Sequence, residues 1–151
     1  MSGHLLVRRA IPVDCDEVAR VWHESASNMD GAPAEMATIQ GLRERIDLEL
    51  ESGWSLFVAE RNDQMVGMLA IKPHEATLDQ IFVLTDEQHR GIGKILLDVS
   101  KGEMPHGFEL RMAAENRRAE RFYLGAGLRL VREGTHPGND APVKYFRWDG
   151  S

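Results

Sequence analysis

Two glycines two positions apart, Gly91 and Gly93, follow a run of bulky and β-branched residues and begin a segment with apolar residues at helical spacing. This pattern predicts a strand, a polar turn and a helix. The first amides of a helix lack an acceptor within it, and the helix dipole favours negative charge there, so such a turn can hold a phosphate. Glycine removes the Cβ atoms that would keep a diphosphate away from those amides. Gly-x-Gly alone is equally typical of a tight turn without a ligand.

Two common nucleotide-binding motifs are excluded by the residues that follow these glycines. A Rossmann fingerprint requires a third glycine at position 96, which is Leu96 in this chain. A P-loop ends in Gly-Lys-Ser/Thr, whereas Lys94 is followed by Ile95. A phosphate at this turn would therefore have to be held by a different arrangement.

A second group of residues suited to chemistry lies about thirty positions further on. Asn116 is a good helix N-cap, and Gly127 suits the exit from a helix C-terminus. On the helix between them we expect Ala119 and Phe122 to face the sheet and Tyr123 to face a neighbouring side. A tyrosine hydroxyl can act as a general acid, although a lone tyrosine is more often a half-buried packing residue.

The elements that position these two groups are strands and helices mixed without strict alternation. This order predicts an α+β fold with helices on both faces of a sheet. The predicted strands are 5–9, 54–60, 64–72, 76–83, 108–112, 128–132 and 143–148. The predicted helices begin at 12, 35, 91 and 116. The second helix is expected to bury a stripe formed by Ile39, Leu42, Ile46 and Leu50, and residues 25–34 are predicted to form a loop.

The size and composition of the chain restrict its class. Its 151 residues suit one domain spanning 1–151, and its net charge of −6, with no run of basic residues, argues against nucleic-acid binding. No apolar run approaches the ~20 residues of a membrane span, and the first residues lack the apolar core of a signal peptide. A single cysteine, Cys15, suits a reducing cytoplasm. The six histidines form no cluster with metal-ligand spacing, so we expect no metal.

The ordered pair of motifs, Gln88-x-x-Gly91-x-Gly93 after a strand and then Asn116 with Phe122-Tyr123-x-x-x-Gly127, resembles the GNAT superfamily of N-acetyltransferases. The resemblance covers nearly the whole predicted order of elements. It implies a central mixed, mostly antiparallel twisted sheet of about seven strands flanked by about four helices. It also implies transfer of an acetyl group from acetyl-CoA to a primary amine, by direct attack in a ternary complex.

The resemblance implies a role for each matching residue. The backbone amides of Ile81, Phe82 and Val83 would pair with the pantetheine arm and polarise the thioester carbonyl. Asn116 would hydrogen-bond the cofactor, and Tyr123 would protonate the leaving thiolate. The residues that would wrap the diphosphate are Gln88, His89, Arg90, Gly91, Ile92, Gly93 and Lys94.

The group that removes the proton from the amine stays open. Some family members carry a glutamate where this chain has Arg111, so a fixed base at that position is in doubt. Glu109 lies two residues earlier on the same face of the strand, and Asp79 lies on the preceding strand. Either carboxylate is a candidate base, although each is more often solvated or ion-paired.

The acceptor is not determined by the sequence. The net negative charge of the chain favours a small cationic amine as the acceptor, with a protein N-terminus or lysine as alternatives. A third alternative is a non-catalytic acyl-CoA-binding or sensing domain, which the absence of glutamate at 111 favours and the presence of Tyr123 and Asn116 disfavours. Many family members pair as dimers, so the resemblance allows a homodimer as well as a monomer. We expect neither a nucleic-acid partner nor a membrane partner.

Overall fold

The computed structural model describes residues 4–29, 32, 37–88 and 90–151 of the chain. Within them the strands are β1 (Leu5–Arg9), β2 (Ser55–Arg61), β3 (Gln64–Lys72), β4 (Thr77–Val83), β5 (Phe108–Ala113), β6 (Arg129–Thr135) and β7 (Pro142–Trp148). The helices are α1 (Cys15–Ser27), α2 (Ile39–Glu51), α3 (Ile92–Glu103) and α4 (Arg117–Gly125). Single 3-10 turns lie at Pro12–Asp14, Pro73–Glu75 and Thr85–Glu87. No helix in the described ranges has the length and apolar character needed to cross a bilayer.

The seven strands form one sheet in the order β1-β2-β3-β4-β5-β7-β6. Neighbouring strands are antiparallel except for β4 and β5, which run parallel. The predicted α+β fold, with a mixed and mostly antiparallel sheet of seven strands and four helices, is confirmed. The parallel pair lies at the centre of the sheet, and it is the place where both candidate motifs meet.

The sheet carries a separate apolar core on each face. On one face α1 and α2 bury residues such as Val18 and Ile46 against β2 and β3. On the other face α3 and α4 pack Leu96 and Tyr123 against Phe108 and other strand residues. Full burial of one large aliphatic or aromatic side chain contributes about 1.5–3 kcal/mol, so both helix pairs are held firmly on the sheet.

The helix boundaries of α1 and α2 differ most from the sequence prediction; α1 begins at Cys15, after the 3-10 turn Pro12–Asp14, instead of at 12. Helix α1 continues to Ser27, so Ser25 belongs to its last turn and is buried, not part of a loop. Helix α2 begins at Ile39, because the Thr38 side chain caps it by accepting a hydrogen bond from the Gly41 amide at 2.9 Å. The predicted start at 35 was therefore too early. Residues 30, 31 and 33–36 of the predicted loop and helix start lie outside the described residues.

The apolar stripe predicted for α2 is narrower than its spacing suggested. Leu42 and Ile46 are buried against α1 and the sheet. Ile39 and Leu50, at the two ends of the helix, are 44% and 38% exposed. The helix therefore contacts the core through its middle turns alone, which corrects the prediction of a four-residue stripe.

Candidate active site

Strands β4 and β5 pair at one end and separate at the other. Thr77 is in register with Glu109, and the Glu109 amide donates to the carbonyl of Ala76 at 2.9 Å. Beyond this point no further register pair joins the two strands within the described part of the chain. A cleft of about 1190 Å³ opens there. This volume exceeds the few hundred to 1,000 Å³ of a typical small-molecule site, so the cleft suits a long ligand.

A β-bulge at Asp79 shapes the β4 side of the cleft. Leu78 and Gln80 lie opposite consecutive residues of β3, so Asp79 is an extra residue in β4. A bulge interrupts the alternation of side chains along a strand and increases its bend. As a result Ile81 and Val83 pack on the α3/α4 face, the same face as Leu78, even though their positions differ in parity.

The amide directions along β4 follow from one hydrogen bond. The Leu84 amide donates to the carbonyl of Val66 at 2.9 Å, which places it on the β3 side. Because amides alternate between the two edges of an antiparallel strand, Phe82 also points to β3. The amides of Ile81 and Val83 then point into the cleft. Of the three amides predicted as a group, two point into the cleft, and that of Phe82 does not.

The start of α3 presents free amides to the same cleft. Gly91 is the N-cap and has φ +82°, a left-handed conformation that favours glycine. The first hydrogen bond of the helix joins the amide of Ile95 to the carbonyl of Gly91 at 3.1 Å. Among the described residues, the amides of residues 92–94 have no backbone acceptor. Three free donors and the positive end of the helix dipole are features that suit an anion.

The two glycines leave space in different ways. A Cβ built on Gly91 has no heavy atom within 4 Å, so it would project into open space. A Cβ built on Gly93 would lie 3.5 Å from Cζ of Phe122, an ordinary van der Waals contact. A side chain at 93 therefore fits the fold, but a larger one would occupy the space beside the free amides.

Gln88 ties the end of β4 to α4. Its side-chain nitrogen donates to the carbonyl of Val83 at 3.2 Å, and its side-chain oxygen accepts from Arg118 at 3.1 Å. The hydrogen bond from Gln88 to the Val83 carbonyl is consistent with the backbone groups of Val83 pointing into the cleft. Gln88 thus positions the turn, and Arg118 adds a cation beside it. His89, predicted to contact the diphosphate, lies outside the described residues.

The two cations predicted beside the glycines are exposed and weakly paired. Arg90 lies 4.0 Å from a carboxylate oxygen of Glu87, and Lys94 lies 3.5 Å from one of Asp98. Exposed pairs of this kind contribute little, so both side chains can turn toward an anion at low cost. Lys94 is among the residues that line the cleft.

Tyr123 faces the core, which corrects the predicted orientation of α4. It is 7% exposed and packs among aromatic rings, with centroids 5.3 Å from Phe122 and 6.2 Å from Phe146. Phe122, predicted to face the sheet as Ala119 was, is half-buried and lines the cleft. Ala119 and Phe122 also pack against this core, so only the predicted orientation of Tyr123 was wrong.

The hydroxyl of Tyr123 is available for chemistry. Tyr123 lines the cleft, and its hydroxyl makes no hydrogen bond to any described residue. Burial raises the pKa of Tyr123 above its ordinary value, because the phenolate would lose its solvation. The group therefore keeps its proton at neutral pH, as a general acid must.

Asn116 can cap α4 and bind a ligand at the same time. Its side-chain oxygen accepts a hydrogen bond from the Ala119 amide at 3.1 Å, which confirms the predicted N-cap. Its side-chain nitrogen has no partner among the described residues, and the residue lines the cleft. The cap fixes the carboxamide and leaves the NH₂ group to donate into the cleft.

The two candidate bases both line the cleft but differ in their partners. Asp79 accepts one hydrogen bond, from the indole nitrogen of Trp54, at 2.8 Å. Glu109 has Arg132 at 2.9 Å from one carboxylate oxygen and Arg147 at 3.9 Å from the other. Asp79 therefore keeps one oxygen free of cationic neighbours among the described residues, whereas both oxygens of Glu109 face guanidinium groups.

Two further cleft residues were not singled out by the sequence pattern. The hydroxyl of Ser25 is buried without a partner among the described residues, and Ser25 lines the cleft. His136 lines it from the loop between β6 and β7. Ser25 was missed because residues 25–34 were predicted to form a loop, and His136 was missed because no sequence motif includes it. In the described ranges, no group of three or more potential metal-binding side chains comes together.

The family model for the acetyltransferase (GNAT) domain matches residues 22–136. The match covers more than half of the chain, including β4, the α3 turn and α4. The chain belongs to the GNAT family. Both motifs that build the cleft therefore lie inside the region that defines this GNAT domain.

Individual relatives of the GNAT chain agree with this assignment. A "Probable N-acetyltransferase" of Mycobacterium tuberculosis is 28% identical over 142 residues, covering 80% of this chain and 78% of the relative. The fold matches that of the ribosomal-protein-S18-alanine N-acetyltransferase from Escherichia coli, with TM-score 0.79, 17% identity and coverage of 98% and 95%. It also matches yncA from Salmonella typhimurium, described with its cofactor acetyl-CoA, with TM-score 0.75, 15% identity and coverage of 96% and 93%.

Proposed function

We propose that this GNAT chain moves the acetyl group of acetyl-CoA to a primary amine of a small metabolite, by direct attack while both substrates are bound. The observation that carries the proposal is the split between β4 and β5, into which free main-chain amides point from β4 and from the start of α3. A structural neighbour described with acetyl-CoA supports the choice of donor.

The residues of the cleft fit coenzyme A. The amides of residues 92–94 supply donors for a diphosphate, and the left-handed Gly91 leaves their approach open. Arg118 provides a nearby guanidinium, which suits phosphate oxygens. Asn116 offers an NH₂ donor further along the cleft.

Bound acetyl-CoA would supply a thioester whose carbonyl carbon accepts the amine. The amides of Ile81 and Val83 are placed to donate to the carbonyl oxygen where negative charge develops, which is the role of an oxyanion hole. The Tyr123 hydroxyl holds a proton for the departing sulfur. Its burial keeps that proton in place until a strong base is close by.

The amine loses a proton to one of the two carboxylates of the cleft, directly or through a water molecule. Asp79 is the better placed of the two, because one of its oxygens accepts from Trp54 and the other is free of cationic neighbours among the described residues. Glu109 is the alternative, and its two arginine partners favour a structural role.

The proposed acceptor follows the expectations drawn from the sequence. We infer a small amine as the substrate, with a protein N-terminus or lysine as the alternative; a ribosomal-protein acetyltransferase among the structural neighbours keeps that alternative open. The cytoplasm stays the predicted location, and a homodimer stays a predicted assembly.

Release of free thiol from acetyl-CoA in the presence of an amine panel tests the proposal. The panel should include polyamines, amino acids, aminoglycosides and peptides with free N-termini, with a reaction lacking amine as the control. Amine-dependent thiol release is expected. Calorimetric binding of acetyl-CoA without release for any amine would favour a sensing domain, and absence of binding would contradict the proposal altogether.

A further inference from the structure

The hydrogen bonds of His136 determine where its ring carries a proton. The backbone amide of Gly138 donates to Nδ1 of His136 at 2.9 Å. A backbone amide can only donate, so Nδ1 holds a lone pair. In a neutral imidazole the proton must then lie on Nε2. Burial, followed by the positive charges of Arg111 and Arg45, lowers the pKa of His136, which favours this neutral form.

Nε2 of His136 and a guanidinium nitrogen of Arg111 therefore form an unusual contact. The two atoms lie 3.3 Å apart. Guanidinium nitrogens are donors without exception, and Nε2 carries a proton, so neither atom accepts a hydrogen bond from the other. Two N–H donors lie side by side with no acceptor between them among the described residues. A negatively charged oxygen placed against both would satisfy them together.

Arg111 differs from the other arginines of the same sheet region. Arg132 pairs with Glu109, and Arg147 pairs with Asp149. No carboxylate oxygen of a described residue lies within 4.0 Å of the Arg111 guanidinium. An arginine that lines the cleft and has no acidic partner among the described residues is available to an external anion.

The position of Arg111 assigns this anion to the acceptor, not to coenzyme A. Leu110 and Met112 point into the α3/α4 core, so Arg111 lies on the opposite face of β5. The phosphate-binding turn begins α3 and therefore belongs to the α3/α4 face. Tyr145, opposite Arg111 in β7, is the alternate neighbour of the core residue Phe146 and shares the Arg111 face.

We propose that Arg111 and His136 bind the carboxylate of an amine acceptor, so that the substrate class is a free amino acid or a closely related amine that carries a carboxylate. This inference rests on the proposed acetyltransferase function and narrows its acceptor. It narrows the expectation of a small cationic amine to one that also carries a carboxylate. A planar carboxylate matches one guanidinium and one imidazole N–H, both of which lie at the acceptor face.

The test compares each L-amino acid with its own amide in the thiol-release assay. The two compounds share side chain and size, and only the acid carries the carboxylate. The wild-type enzyme is expected to favour its best acid over the matching amide by about 10- to 100-fold in kcat/KM, the range for a charge-assisted hydrogen bond. Arg111→Gln should remove this preference by raising KM for the acid, without changing the KM for acetyl-CoA.

Arg129→Gln is the matched control, because Arg129 pairs with Asp149 and does not line the cleft. It should retain the acid preference. Equal or better use of the amides by the wild-type enzyme would overturn the inference while leaving the acetyltransferase function intact. An equal loss on acids and amides in Arg111→Gln would overturn it as well.

A binding measurement separates the failure of this inference from the failure of the proposed function. Titration with N-acetylated amino acids should move the ring NMR signals of His136, assigned with His136→Gln, in the wild-type protein and not in Arg111→Gln. A shift without any thiol release would support the carboxylate site and count against the transferase function. A His136 signal that does not move would overturn the site.

Discussion

The indole N–H of Trp54 donates to the carboxylate of Asp79 at 2.8 Å, linking the buried residue that precedes β2 to the bulge of β4. The bond joins one carboxylate oxygen to a residue of the α1/α2 core, and Asp79 also lines the cleft. A bulge next to an active site commonly redirects a side chain in this way. The geometry makes Asp79 the stronger of the two candidate bases.

Asp79→Asn is expected to lower kcat by about 100-fold or more, the usual contribution of a general base. Asparagine can still accept from Trp54, so folding should be little affected. Glu109→Gln serves as the matched comparison, since its carboxylate is already engaged with Arg132. A larger loss of kcat in Glu109→Gln than in Asp79→Asn would reverse the assignment.

Tyr123→Phe should reduce kcat by about 100-fold or more and leave the Kd for acetyl-CoA unchanged. The hydroxyl has no partner among the described residues, so its removal should cost little stability, and Tm provides the control. Because burial raises the pKa of Tyr123, its loss of the acidic proton should occur only above pH 10, its ordinary value. If the Tyr123→Phe variant kept the wild-type rate, Tyr123 would have no role in the reaction.

Gly93→Val is expected to weaken coenzyme A binding at least tenfold, because the side chain would stand beside the amides of residues 92–94. The comparison variant is Gly102→Val on the same helix, where an added Cβ has no heavy atom within 4 Å. Both substitutions replace glycine by valine in α3, so their intrinsic helix propensities change in the same direction. Calorimetry that finds equal affinities in the two variants would show that the α3 turn does not bind the diphosphate.

Asn116→Asp separates the two roles of Asn116. Aspartate caps a helix as well as asparagine does, so Tm should be unchanged. The variant replaces the free NH₂ group with an acceptor, and we expect a rise of about tenfold in the KM for acetyl-CoA. Asn116→Ala, which also loses the bond to Ala119, should lose stability by about 1 kcal/mol. An unchanged KM in Asn116→Asp would leave Asn116 with its capping role only.

Much of the fold could be predicted because its signals are local. The spacing of Leu42 and Ile46 marked α2, and the strands predicted at 54–60 and 64–72 match β2 and β3 to within one residue. The glycines of the α3 turn and the Asn116 cap were equally visible, since each depends on backbone conformation at one position. These local signals placed both motifs in the correct order along the chain.

The remaining features depend on the pairing of residues far apart in the chain, which local sequence patterns do not reveal. The bulge at Asp79 is defined by pairing with β3, and the approach of Arg111 to His136 depends on the loop that joins β6 to β7. The burial of Tyr123 depends on how α4 packs against the sheet. Strand register and helix packing determine where these side chains lie, so their positions became known only from the structure.

The central claim is that main-chain amides of β4 and of the α3 turn bind coenzyme A in the split between β4 and β5. A crystal structure of the protein soaked with coenzyme A tests it most directly. The account predicts diphosphate oxygens within hydrogen-bond distance, about 3 Å, of the amides of residues 92–94, with the pantetheine arm along Ile81 and Val83. Coenzyme A bound outside this split, or a split closed by side chains, would contradict it.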